Sequence, residues 1–144
     1  MMTMYEHLKA VRSVYEKIAS DTCKKYGVSF KELDILMYLV DHPDKATATD
    51  IVKRENMSKS QVSMSLKVLE SKGYVIGEHI GSNRRTIYLR VTEMADEIID
   101  EARNSRKMFA ESLTSGFSED EIRVLVSLLS RVKENVFRNL KKSN

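Results

Sequence analysis

The chain has 144 residues, 42% of them hydrophobic and 31% charged, with one Pro and five Gly. That is enough chain for one buried core, and the composition excludes disordered, collagen-like and low-complexity sequence. The net charge of +3 is too small to announce a partner, and the single cysteine, Cys23, excludes an intramolecular disulfide or a Cys-based zinc site within one chain. Charges recur every few residues in the opening MMTMYEHLKAVRSVYEK, so it holds neither a signal-peptide core nor an apolar run of roughly 18 residues. The expectation is a soluble, cytoplasmic protein with no membrane partner.

From Met4 to Tyr26, apolar residues at Met4, Tyr5, Leu8, Val11, Tyr15, Ile18, Ala19, Thr22 and Tyr26 form one stripe of a long helix, closed by Gly27. Ser29 and Glu32 form a capping box for a second helix to about Val40, with Phe30, Leu33, Ile35, Leu36, Met37, Leu39 and Val40 as its stripe. Asp41-His42-Pro43-Asp44 breaks it. Thr47, with Asp50 three residues on, starts a short helix that ends near Asn56.

Ser58 caps a fourth helix that runs to Gly73, with Val62, Leu66 and Leu69 facing a core. Its opposite face carries Lys59, Ser60, Gln61, Ser63, Met64 and Lys67. Four serines between 58 and 65 are poor helix-interior residues, so stability gives no reason for them. A face rich in hydroxyls and amides does suit contact with base edges and phosphates.

After Gly73 the period changes to two. Residues 74–80 and 86–91 read as strands, and Gly81-Ser82-Asn83-Arg84-Arg85 as a hairpin tip. Thr92 is expected to cap a long helix to about Ser115, with Ile98, Ile99, Ala102, Met108, Phe109 and Leu113 apolar. Beyond Gly116, Ser118-Glu119-Asp120-Glu121 opens a last helix through Ile122, Leu125, Val126, Leu129, Val132 and Val136 to Leu140. Between Ile51 and Arg90 stand eight basic residues against three acidic ones, a local excess of +5 inside a remainder of −2. The long helices need more cover than so small a centre supplies, which argues for burial between two subunits.

No Gly-rich phosphate loop, nucleophile with a suitably placed His, or carboxylate pair is present, so the inventory points away from an enzyme and implies no cofactor. His7, His42 and His79 lie in separate elements without ligand spacing, so no metal is expected. Cys23 falls at the edge of the first helix's apolar stripe, and Lys24 and Lys25 point elsewhere. That spacing favours a packing cysteine over a redox switch.

The order of elements is that of a helix-turn-helix followed by a wing. The segments Thr47–Arg54, Ser58–Val62, Leu69–Val75 and Asn83–Glu93 resemble the MarR family of bacterial regulators, and the resemblance covers essentially the whole chain. It implies a mainly α fold with a small β-hairpin wing. The chain would be one domain over 1–144, with a winged helix module at 29–92 and dimerisation helices at 1–28 and 93–144. The implied function is a homodimeric, sequence-specific DNA-binding regulator on a pseudo-palindromic operator, a repressor relieved by a small ligand. A thiol-based redox-sensing regulator using Cys23 is the alternative.

By position in that family, Ser60, Gln61 and Met64 would read bases, and Arg84 and Arg85 would approach the minor groove from the wing tip. Lys59 and Lys67 are expected on phosphates, with Ser63 on the same face. Tyr15, Tyr26, Met37 and Tyr38 are candidate contacts for a phenolic or anionic ligand, against a plain reading as core. The sequence departs from the family at Asn83, where an Asp commonly orients a wing arginine, and at Met64, which replaces a frequent Arg and suits a thymine methyl. Ala95 stands where Gly is frequent, and Glu55 where the family is usually apolar.

Overall fold

The computed structural model describes residues 1–44 and 46–143, and side chains up to 139. Its elements are α1 (Met4–Tyr26), α2 (Phe30–Asp41), α3 (Ala48–Glu55), α4 (Lys59–Ser71), β1 (Val75–Glu78), β2 (Tyr88–Val91), a 3-10 turn (Glu93–Ala95), α5 (Asp96–Leu113) and α6 (Glu119–Ser143). They group into two compact units, Met1–Phe109 and Ala110–Asn144.

Reciprocal caps begin most of these helices. Thr3 and Glu6, Ser29 and Glu32, Thr47 and Asp50, Ser58 and Gln61 each exchange side-chain and backbone hydrogen bonds. Ser118 and Glu121 do the same for α6. Each box satisfies backbone donors that the first helical turn would otherwise leave open.

In the first unit α2 is the central element. Leu33, Ile35, Leu36, Met37 and Leu39 are all but fully buried, together with Ile51 of α3, Val62 and Leu69 of α4, Val75 of β1 and Ile98 of α5. Burying each of the larger side chains stabilises the fold by about 1.5–3 kcal/mol. The C-terminal part of α1 adds Ala19, Thr22 and Cys23 to this core, but Met4, Tyr5 and Leu8 at its start are exposed.

The hairpin is shorter than the sequence period suggests. β1 and β2 pair antiparallel from Val75 opposite Val91 to Glu78 opposite Tyr88, not over 74–80 and 86–91. Beyond Glu78 the ladder gives way to a side chain, since His79 Nδ1 lies 2.9 Å from the Thr86 carbonyl oxygen. Within the ladder Gly77 leaves room for Ile87: a Cβ there would lie 2.7 Å from Ile87 Cγ2, so a side chain would have to displace it. The wing is held to the core by Leu89 N–H, which donates to the Ala46 carbonyl at 2.8 Å.

Thr92 does not cap α5 as expected. The 3-10 turn intervenes, α5 starts only at Asp96, and the Thr92 hydroxyl makes no cap bond. It donates instead to the Gly73 carbonyl, while Thr92 N–H donates to Tyr74 O at 2.9 Å. Gly73 has φ +78°, a conformation that would strain any side chain there, whereas the Met94 Sδ that would lie 2.7 Å from a Cβ is the end of a flexible side chain and could move. Ala95, in the same turn, is fully buried.

In the second unit, α6 is amphipathic without cover inside that unit. Val124, Leu128, Leu129, Val132 and Val136 are each about half exposed. The side chain of Leu140 lies outside the described residues.

Candidate nucleic-acid interface

Packing of α4 sorts its side chains into two faces. Val62, Ser65, Leu66 and Leu69 are buried, and that seam leaves Lys59, Ser60, Gln61, Ser63, Met64 and Lys67 exposed. The structure therefore brings all six predicted residues of α4 onto its solvent side. Met64 is 66% exposed, a large apolar side chain on the same face.

Next to this face lies a groove of about 710 Å³ between α3, α4 and the wing. Val52, Val62, Leu66, Ile87 and Leu89 contribute its apolar lining, and Lys53, Lys59 and Lys67 its charges. Three lysines around one groove make it electropositive, with Glu70 as the acidic member.

Arg84 and Arg85 are exposed at the wing tip and make no ion pair among the described residues. By contrast Arg90, on β2, is engaged with Glu78 at 3.3 Å. Asn83 does not orient an arginine side chain. Its Oδ1 accepts from the N–H groups of Arg85 at 3.1 Å and Thr86 at 3.3 Å, and its Nδ2 donates to Thr86 Oγ1 at 3.2 Å. Sequence reasoning missed this role, although an Asn followed by turn residues is the usual signal for such a closure.

The residues expected around a ligand have separate partners. The Tyr15 hydroxyl is 3.4 Å from Asp34 Oδ1, and its ring meets Phe109 edge-on at 5.4 Å. Tyr26 donates to Glu101, which also takes Lys25. Tyr38 stacks on His42 at 4.2 Å, and Met37 is buried. Burial, with the Asp34 charge second, pushes the Tyr15 hydroxyl up to about 12. Asp34 is itself raised, chiefly by burial, and so is Glu55, again by burial with Asp34 next. Sequence reasoning noted Glu55 as unusual but missed Asp34, which stands between apolar neighbours on α2 without a distinguishing spacing.

Cys23 is buried, and burial followed by the charges of Asp34 and Glu32 raises its thiol. At neutral pH it is therefore the protonated, poorly nucleophilic form. Among the described residues no helix is long and apolar enough to cross a membrane.

A short helix, a turn and a capped helix with an exposed polar face, followed by a hairpin with a basic tip, make a winged helix-turn-helix fold. A family model described as MarR family matches residues 26–86. The chain is 29% identical over 110 residues to YdgJ, an uncharacterized HTH-type transcriptional regulator of Bacillus subtilis (strain 168), covering 76% of this chain and 66% of that one, just under two thirds of its length. It is 25% identical over 134 residues to the HTH-type transcriptional regulator PecS of Dickeya dadantii (strain 3937), with 92% and 81% covered. A crystal structure of a regulator assigned to the MarR family from Listeria monocytogenes, complexed with a 26mer DNA, superposes with a TM-score of 0.87 at 20% identity, over 100% of this chain and 97% of that one. Residues 26–86 are thus similar to the MarR family, and the chain has the fold of the Listeria regulator.

Proposed function

We propose that the protein is a cytoplasmic, homodimeric repressor that binds a pseudo-palindromic operator through α4 and the wing, and that a small ligand releases it. The observation that carries this reading is the coexistence of an exposed, hydroxyl- and amide-rich face on α4 with two arginines at the wing tip that make no ion pair among the described residues. In it Ser60, Gln61 and Met64 meet base edges, Lys59, Ser63 and Lys67 meet the backbone, and Arg84 and Arg85 reach the minor groove. The dimer rests on the exposed apolar residues at the start of α1 and along α6. On this reading the whole chain is one functional domain, with 29–92 binding DNA and 1–28 and 93–144 joining the subunits.

The test is selection of bound DNA from a random pool at stated salt. A pseudo-palindrome with half-sites about 10 bp apart, centre to centre, is the expected product. Absence of any enriched sequence would overturn the reading.

For the ligand, the partly exposed Tyr15 and Tyr26 are the candidate aromatic contacts, while Met37 and Tyr38 are buried in the core. The Asp34 carboxylate beside Tyr15 opposes an anion there, so a neutral phenol fits better than a carboxylate. Release of operator DNA by neutral phenols but not by their carboxylate analogues is the expected pattern. The thiol-switch alternative at Cys23 has burial and a raised thiol against it.

A further inference from the structure

His79 directly follows β1, at the point where the ladder stops. Its Nδ1 lies 2.9 Å from the Thr86 carbonyl oxygen. A carbonyl oxygen can only accept, so Nδ1 must carry a proton and donate. The other ring nitrogen is thereby fixed in character. In the neutral imidazole Nε2 is a bare acceptor, and only in the imidazolium does it become a donor. The side chain is exposed and makes no ion pair among the described residues.

The bond ties His79 to the residue that follows Arg85, so the ring stands at the base of the tip that carries Arg84 and Arg85. Alternation carried one residue past the ladder puts His79 on the face of Gly77, Ile87 and Leu89. Ile87 and Leu89 line the groove shared with α3 and α4, whose charged members are Lys53, Lys59, Lys67 and Glu70. Glu78, the carboxylate of the hairpin, belongs to the opposite face and is engaged by Arg90. This edge of the wing is therefore mostly cationic. A phosphate oxygen placed there can only accept, so it is repelled by the lone pair of a neutral Nε2 and favours the charged ring.

We propose that His79 is a proton-linked phosphate contact, whose Nε2 donates to the DNA backbone beside the wing tip only in the imidazolium, so that each subunit takes up a proton as it binds DNA. The Thr86 bond is what makes the contact depend on a proton, because a neutral ring free of it could present Nε2–H instead. This inference rests on the reading that the wing meets DNA, and adds a residue and a pH dependence to that contact.

The experiment measures affinity of the full chain for a mixed-sequence duplex at pH 6 and pH 8 over several salt concentrations, with the unfolding midpoint at each pH. Phosphate contacts need no operator, so such a duplex suffices. In His79→Asn an amide N–H stands where Nδ1 was and can keep the Thr86 bond, but nothing replaces Nε2 and nothing titrates. The wild type should bind roughly tenfold or more weakly at pH 8 than at pH 6, and the variant should lose most of that difference. At pH 6 the wild-type salt slope should exceed the variant's by up to about 2 units, one histidine per subunit, and at pH 8 the two should coincide. His79→Gln, with an uncharged amide near the place of Nε2, serves if the first variant melts below the wild type, and should also lose the pH dependence. His7 and His42 remain in both variants, so their titration cancels. The same pH dependence in all three proteins would overturn the inference and leave the wing on DNA. A wild type that binds no duplex at either pH would overturn the DNA reading with it.

Discussion

Asn83 and Thr86 are joined twice across the wing tip, by Thr86 N–H on Asn83 Oδ1 at 3.3 Å and by Asn83 Nδ2 on Thr86 Oγ1 at 3.2 Å. The neutral amide thus shapes the loop that carries Arg84 and Arg85 without neutralising either. Asn83→Ala should weaken operator binding by several-fold through a looser tip, while stability changes by less than about 0.5 kcal/mol, as for other exposed sites. Equal affinity of the variant and the wild type would show that the tip needs no such closure.

Arg84 and Arg85 should dominate the salt dependence of binding. Each arginine that neutralises phosphate contributes about 0.9 to the negative slope of log K against log salt, so four in a dimer contribute up to about 4 units. Replacing both by Ala should reduce the slope by as much as that, and proportionally more on non-specific DNA. An unchanged slope in a folded, dimeric double variant would mean that the wing stays off the DNA.

The apolar stripe of α6 should hold the subunits together. Sedimentation equilibrium at micromolar concentration is expected to give twice the 16.6 kDa chain mass. Leu128→Asp with Val132→Asp places charges at two half-exposed positions of that stripe, and the expected mass is then that of one chain or an unfolded species. A wild-type protein that sediments as a cooperatively folding monomer would contradict this.

Asp34 makes stability depend on pH in a definite direction. Burial raises its carboxyl in the folded state, so its favourable contribution is complete below the unfolded carboxylate's pKa and is lost as pH rises through the folded value. At pH 7 the ionised side chain is therefore a cost. Asp34→Asn keeps an acceptor for the Tyr15 hydroxyl without the charge, and should raise the unfolding temperature at pH 7. The gain should shrink as the pH is lowered through the carboxyl titration. A lower melting temperature at pH 7 would show that the charged bond to Tyr15 outweighs desolvation.

Cys23 should behave as a buried, protonated thiol. Its folded pKa is raised, so the stability it lends is present below the unfolded pKa and lost only as pH rises through the folded one. Alkylation of the native protein at pH 8 should be roughly tenfold or more slower than of the unfolded chain. Equal rates, or loss of DNA binding on mild peroxide treatment that Cys23→Ser abolishes, would restore the redox reading.

What was legible in the sequence was what is encoded over four residues or by a single period. The boxes at Ser29, Thr47 and Ser118 and the buried seam Val62, Leu66 and Leu69 could all be read directly, because cap chemistry and helical spacing are local. The ends of the strands could not, since alternation continues through Ile80 and Thr86 and no local signal shows that His79 meets the Thr86 carbonyl where the ladder stops. Thr92 misled for a similar reason. Its hydroxyl has a local option, the cap, and a distant one, Gly73, and sequence displays only the first. At the interface, the exposed set on α4 followed from period alone. The second duty of Gln61 at the cap was itself a four-residue signal, overlooked because a reader position was not also considered as a helix start.

The division of α4 between Ser58 and Gln61 at its start, a buried seam on one side and an exposed face on the other has an evolutionary consequence. The position of the helix is set by residues that do not include Lys59, Ser60, Ser63, Met64 or Lys67. Those five sites can diverge without moving the backbone that presents them, so on the proposed reading of α4 a lineage can acquire new targets by single substitutions there. Gln61 is the exception, since it also closes the box that starts the helix, and a paralogue that changes it must accept either a frayed helix start or another residue that can close the same box.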